Sequence, residues 1–207
     1  MFRLMKIALL LLALASPAAF AKNKLMAPAA EQNPQPAEGK ALVVFLRASG
    51  YGAAIASSIY DAPDDSTTFL GVLKYKDKVA VQMEPGQHRF MVIAENADFL
   101  DATLEAGKTY YVLISPRMGV WKARFSLFPI HASSDDEYNV QSKDFKEWIE
   151  RCAWIQLAPA AEAWYAENKA SIEKKKADYL QKWNKMAPAD RAELVLKAED
   201  GVPAAAP

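Results

Sequence analysis

The chain has 207 residues, 52% hydrophobic and 24% charged, enough apolar material for one sizeable fold and too much for a disordered polypeptide. Its 25 basic and 25 acidic residues balance, which leaves no electrostatic footprint for nucleic acid or an anionic lipid surface. A single cysteine, Cys152, excludes an internal disulfide, so the fold must rest on its core alone.

Arg3 and Lys6 precede an unbroken apolar run from Ile7 to Ala15. Pro17 ends that run, and Ala19-Phe20-Ala21 presents a small-x-small cleavage pattern. These features predict a signal peptide over residues 1–21, cut after Ala21, and a mature protein that is periplasmic or secreted. The run is shorter than the roughly 20 residues of a membrane span, so no integral span is expected after cleavage. No cysteine follows it to carry a lipid anchor. Cleavage removes Arg3 and Lys6 and leaves 23 basic against 25 acidic residues. Residues 22–38 carry Pro28, Pro34 and Pro36 without an apolar period and predict a disordered linker.

From Gly39 the pattern is that of strands. Ala41 to Leu46 is apolar on both faces, as a covered central strand requires. A glycine-rich turn at 49–52 leads to strands over 53–60 and 67–73. Val79, Val81 and Met83 alternate with polar residues up to Pro85-Gly86, and a β-branched and aromatic run follows to Ala94. Alternation on both sides of such a turn predicts a hairpin. Residues 99–105 and 109–114, around Ala106-Gly107-Lys108, predict a second. Trp121, Ala123, Phe125 and Leu127 mark a last strand. The expected fold class is therefore mainly β with a helical tail: an antiparallel β-sandwich of about eight strands over residues 39–130. Leu42, Val44, Leu46, Phe90, Val92, Leu104, Val112 and Ile114 join Val79, Val81, Met83, Trp121, Phe125 and Leu127 as its expected core.

Residues 131–201 read as a helical C-terminal appendage of two or three helices, and 202–207 as a frayed tail. Ser142 suits an N-cap, and Phe145, Trp148, Ile149, Cys152 and Ile155 recur at helical spacing. Glu162 to Lys185 predicts a second helix, and Ala189 to Glu199 a short third one. Cys152, on the apolar side of the first helix, is expected to be a buried small hydrophobe.

The succession Ala41-Leu42-Val43-Val44-Phe45-Leu46-Arg47, Glu84-Pro85-Gly86-Gln87-His88 and Ala106-Gly107-Lys108-Thr109-Tyr110-Tyr111-Val112 resembles the bacterial envelope family called domain of unknown function 2846. The resemblance covers about residues 39–130 and implies an exported β-sandwich. That family has no assigned catalytic residues to carry over. Many of its members are lipid-anchored, from which this chain departs.

Candidate chemistry is sparse. His88 is expected to hydrogen-bond across its hairpin. His131 beside Asp135, Asp136 and Glu137 looks like a metal cluster, but one imidazole on a carboxylate loop lacks ligand spacing and reads as a solvated acidic loop. No Gly-x-Ser-x-Gly elbow, phosphate loop or His-Glu-x-x-His is present, and no metal or cofactor is expected. The candidate interaction surface is aromatic: Trp148, Trp154, Trp164, Tyr165, Tyr179 and Trp183. The alternative places these rings against the sandwich. The expected function is a non-enzymatic accessory or protein-interaction module with an envelope protein as partner. A small-ligand or envelope-polymer binder stands second and a hydrolase third.

Overall fold

The computed structural model describes residues 25–117 and 124–204. The expected signal peptide, Trp121 and Ala123 of the expected last strand, and the last three residues of the expected frayed tail lie outside them. The described residues form twelve strands in two sheets and three α-helices. The strands are β1 (Met26–Pro28), β2 (Ala41–Arg47), β3 (Ser57–Asp61), β4 (Thr68–Leu73), β5 (Asp77–Met83) and β6 (Gly86–Ile93). They continue with β7 (Ala97–Leu104), β8 (Lys108–Arg117), β9 (Arg124–Ile130), β10 (Ala153–Leu157), β11 (Val195–Leu196) and β12 (Val202–Pro203). The helices are α1 (Lys143–Arg151), α2 (Ala160–Trp183) and α3 (Pro188–Ala192).

The eight strands expected from the sequence correspond to β2–β9, but their pairing differs. One sheet runs β1-β10-β5-β2-β8-β12, with β9 also on β8; the other runs β11-β7-β6-β3-β4. The strands flanking Pro85-Gly86 therefore lie in different sheets, as do those flanking Gly107. Both turns are arches from one sheet to the other, not hairpins. Period-2 alternation cannot separate the two, because an arch and a hairpin both keep one side of each strand inward. The hairpins are β3–β4, β6–β7 and β8–β9. The sheets are also mixed: β2 runs parallel to β8, β10 to β5 and β11 to β7.

The shared core between the sheets holds Ala41, Val43 and Phe45 of β2 with Ile59, Phe90, Val92, Leu100 and Val112. The sequence pointed to Leu42, Val44 and Leu46; these are buried too, on the opposite face of β2. Every residue of β2 is buried, as its two-sided apolar pattern requires. The helices add a layer on each outer face. Phe145 of α1 packs with Leu46, Leu113 and Ile130. Ile172 and Trp183 of α2 cover Tyr60, Phe69, Met91 and Phe99.

Three expectations are corrected here. Residues 22–38 are not a featureless linker, because Leu25 is buried and β1 pairs with β10. The helix from Ser142 ends at Arg151, where Cys152 turns extended and Ala153–Leu157 enters a sheet. A third helix is confined to 188–192, after which β11 and β12 join the sheets. Residues 131–204 thus supply three strands, each paired with a strand before residue 130, and both outer layers. Ser142 does cap α1, accepting from the amide of Phe145 at 3.1 Å.

Candidate ligand cleft

None of the six aromatic residues forms an exposed patch. Trp183 is buried, and the other five are half-buried. Trp164 and Tyr165 pack on Phe69, with ring centroids at 5.3 and 5.9 Å. Tyr179 and Trp183 pack edge-on to Phe99 at 5.0 and 5.8 Å. Trp148 meets Tyr138, and Trp154 sits 4.4 Å from the Lys78 ammonium. The stripe is spent on covering the sheets, because their outer faces are aromatic as well. Among the described residues the exposed large hydrophobics are Tyr51 and Leu157.

Leu157 leads to an open cleft of about 500 Å³ between the sheets. It exists because β10 pairs with β5 only over Asp77–Val79 and then leaves it, pairing with β1 through Ile155–Leu157. Beyond Val79 no strand among the described residues lies on that flank of β5. Across the gap stands β4, the outermost strand of the other sheet. The walls are Leu70, Val79, Val81, Met83 and Leu157.

Four charged residues line the cleft, and they are paired with one another. Lys40 bridges to Glu84. His88 Nδ1 lies 2.9 Å from Asp61 Oδ2, and its Nε2 lies 2.9 Å from the Glu84 carbonyl oxygen. Both partners are acceptors, so the ring is satisfied fully only as an imidazolium donating from both nitrogens. The bond to Asp61 accordingly raises the His88 pKa above 6.5; burial opposes it, and the Glu84 carbonyl adds to it. A ring so engaged has no free nitrogen to act as a base. The expected bond across a hairpin is replaced by one to β3, its neighbour in the sheet, and one to the arch.

The ring of His131 takes its hydrogen bond from outside its acidic loop, although its backbone closes that loop against Tyr138 and Val140. Its Nδ1 lies 2.9 Å from Asp200 Oδ2, and Asp200 also accepts from the amides of Lys197 and Ala132 at 2.8 and 3.2 Å. That carboxylate comes from 69 residues away, which no local pattern could reveal. A second cleft of about 630 Å³ lies beside His131, where Arg117 and Lys197 stand with Asp136, Glu137 and Glu193. It has no preponderance of either charge. Among the described residues no group of three His, Cys, Asp or Glu is placed to hold a metal. Cys152 is buried at the end of α1, and burial pushes its thiol pKa up.

No helix of the described residues is long and apolar enough to cross a membrane. No protein-family model matches this chain, and no curated protein matches it either.

Proposed function

We propose that the protein is an exported, non-enzymatic binding module of the cell envelope that takes an apolar ligand in the cleft between β4 and β5. The observation that carries this reading is the departure of β10 from β5. It leaves an apolar, open gap whose charged groups are already paired. A volume of about 500 Å³ falls within the range of ligand pockets. The non-enzymatic reading is supported by His88, whose two ring nitrogens are both engaged. It is supported as well by the Nδ1 bond of His131 to a buried carboxylate.

Export rests on the signal-peptide pattern of residues 1–21. Cleavage after Ala21 would leave Lys22, Asn23 and Lys24 ahead of the buried Leu25. In this reading β2–β9 are the eight strands expected from the pattern, and they form the β-sandwich that the resemblance to domain of unknown function 2846 implies. The cleft is preferred to a partner acting through the helices because Trp164, Tyr165, Tyr179 and Trp183 of α2 pack onto the sheet.

A photoreactive amino acid at position 157, compared with one at position 51, tests the cleft in cells. Both positions are exposed, but only Leu157 lines the gap. Adducts specific to position 157, identified by mass spectrometry, are expected. Adducts at neither position, or equally at both, would overturn the reading.

A further inference from the structure

We propose that the ligand of the cleft is an extended, uncharged stretch of another protein, docked by main-chain pairing as an added strand on Ala80–Met83 of β5. The inference rests on the cleft reading above and names its occupant.

The gap has the form of a missing strand. β5 is paired with β2 along all of its length, but on its other flank only Asp77–Val79 meets β10. The unpaired stretch of four residues spans about 13 Å at the usual strand rise. An unpaired strand edge carries main-chain donors and acceptors that an apolar small molecule cannot satisfy, whereas another strand can. The place of that strand is continuous with the β5–β10 pairing already in the sheet.

The chain itself shows how such a strand sits there. Its own β1 is a three-residue strand added to β10 by main-chain pairing, next to the empty half of the slot. Met26 of β1 reaches across to β4, where its sulfur accepts from the Val72 amide at 3.3 Å. Gly71 makes room for it, since a Cβ there would stand 3.2 Å from the Met26 methyl group. β1 therefore fills one end of the inter-sheet slot with a backbone on one sheet and an apolar side chain against the other. The proposed guest does the same in the other end, against Leu70 and Val81.

Charge selects the guest's composition. Lys40 is matched by Glu84 and His88 by Asp61, so a charged side chain entering the slot would meet no free ion, and the buried Asp61 Oδ1 is left to accept from an uncharged donor. Leu157, on the lip, offers an apolar contact instead.

The test uses the full mature chain, residues 22–207, and a displayed library of random heptapeptides. The tightest selected peptide is then made twice, with ordinary amides and with alternate amides N-methylated. The neutral dye prodan reports on the cleft independently, and Leu157→Arg blocks the lip from an exposed position. The proposal expects apolar peptides whose binding falls at least about tenfold on N-methylation and comparably with Leu157→Arg. Peptides indifferent to N-methylation would overturn strand addition. Prodan binding blocked by Leu157→Arg, with no peptide selected, would overturn it too and leave a small-ligand cleft. Dye and peptides both indifferent to Leu157→Arg would overturn the cleft reading itself. Self-association abolished by Leu157→Arg would make a second copy of this chain the occupant and overturn a foreign partner.

Discussion

The ammonium of Lys176, a residue only 5% exposed, lies 2.7 Å from the carbonyl oxygen of Ser66. It also donates to the carbonyl of Pro63 and stands 3.3 Å from the Thr67 hydroxyl. A lysine of α2 thus holds the 63–67 loop from within, in a cage of oxygens. Replacing it by methionine keeps the apolar stem and removes the donor. Lys176→Met is expected to cost about 2–4 kcal/mol, since at least two carbonyls lose a charged donor. Denaturant unfolding measures this, and a change under about 0.5 kcal/mol would show the cage to be dispensable.

Acidity should favour the fold on the neutral side of its optimum. His88 and His131 both gain a carboxylate partner, and both are held above the ordinary value of 6.5. A raised folded-state pKa contributes stability that is complete below 6.5 and is lost as pH rises through the folded value. Asp200 works in the other direction. Burial pulls it up, but the bonds from His131, Lys197 and Ala132 hold it below 3.8. Its contribution is present above 3.8 and fades as pH falls through the lower folded value. The His131–Asp200 pair is therefore expected to stabilise most between pH 3.8 and 6.5, and the His88 contribution to be complete below 6.5. NMR titration should find both imidazole midpoints above 6.5, and Asp61→Asn should lower that of His88 alone. A wild-type His88 midpoint at or below 6.5 would remove the assignment of an imidazolium at the cleft.

Asp98 fastens α2 to the sheets. It is buried and accepts from the hydroxyls of Tyr179 and Ser126, and from the amide of Phe99 at 3.0 Å. Tyr179→Phe is expected to destabilise by about 1–2 kcal/mol. Because Ser126→Ala acts on the same carboxylate, the double variant should depart from additivity by at least about 0.5 kcal/mol. Strict additivity would mean that the two hydroxyls do not share Asp98.

Ending the chain after Ile130 removes β10, β11, β12 and the helices. The outer face bearing Tyr60, Phe69, Met91 and Phe99 then meets water. Such a fragment is expected to aggregate or to lose cooperative unfolding, as followed by circular dichroism during thermal melting. A soluble fragment with a sharp transition would restore residues 39–130 as an independent domain.

The sequence alone determined what depends on neighbours along the chain. Strand composition, turn signals and alternation located β2–β9, with the two-sided apolar run of 41–46 marking a buried central strand, and Ser142 announced a helix start. These signals are local, because the side-chain periods of 2 and 3.6 residues follow from backbone geometry. The burial of Cys152 was legible for the same reason.

Only the tertiary structure decided how those pieces meet. Pro85-Gly86 and Gly107 became arches because each flanking strand found its partners elsewhere in the chain. Ile155 left its helical stripe because pairing beside β5 and β1 outweighs one more helical turn. The aromatic residues of α2 were legible as a stripe that needs a cover, but not which rings supply it, since those belong to β3, β4 and β7. The cleft was invisible for a plainer reason. Its defining feature is a strand that changes partners at Ile155, and pairing between distant segments is chosen by the whole buried surface rather than by any residue's neighbours.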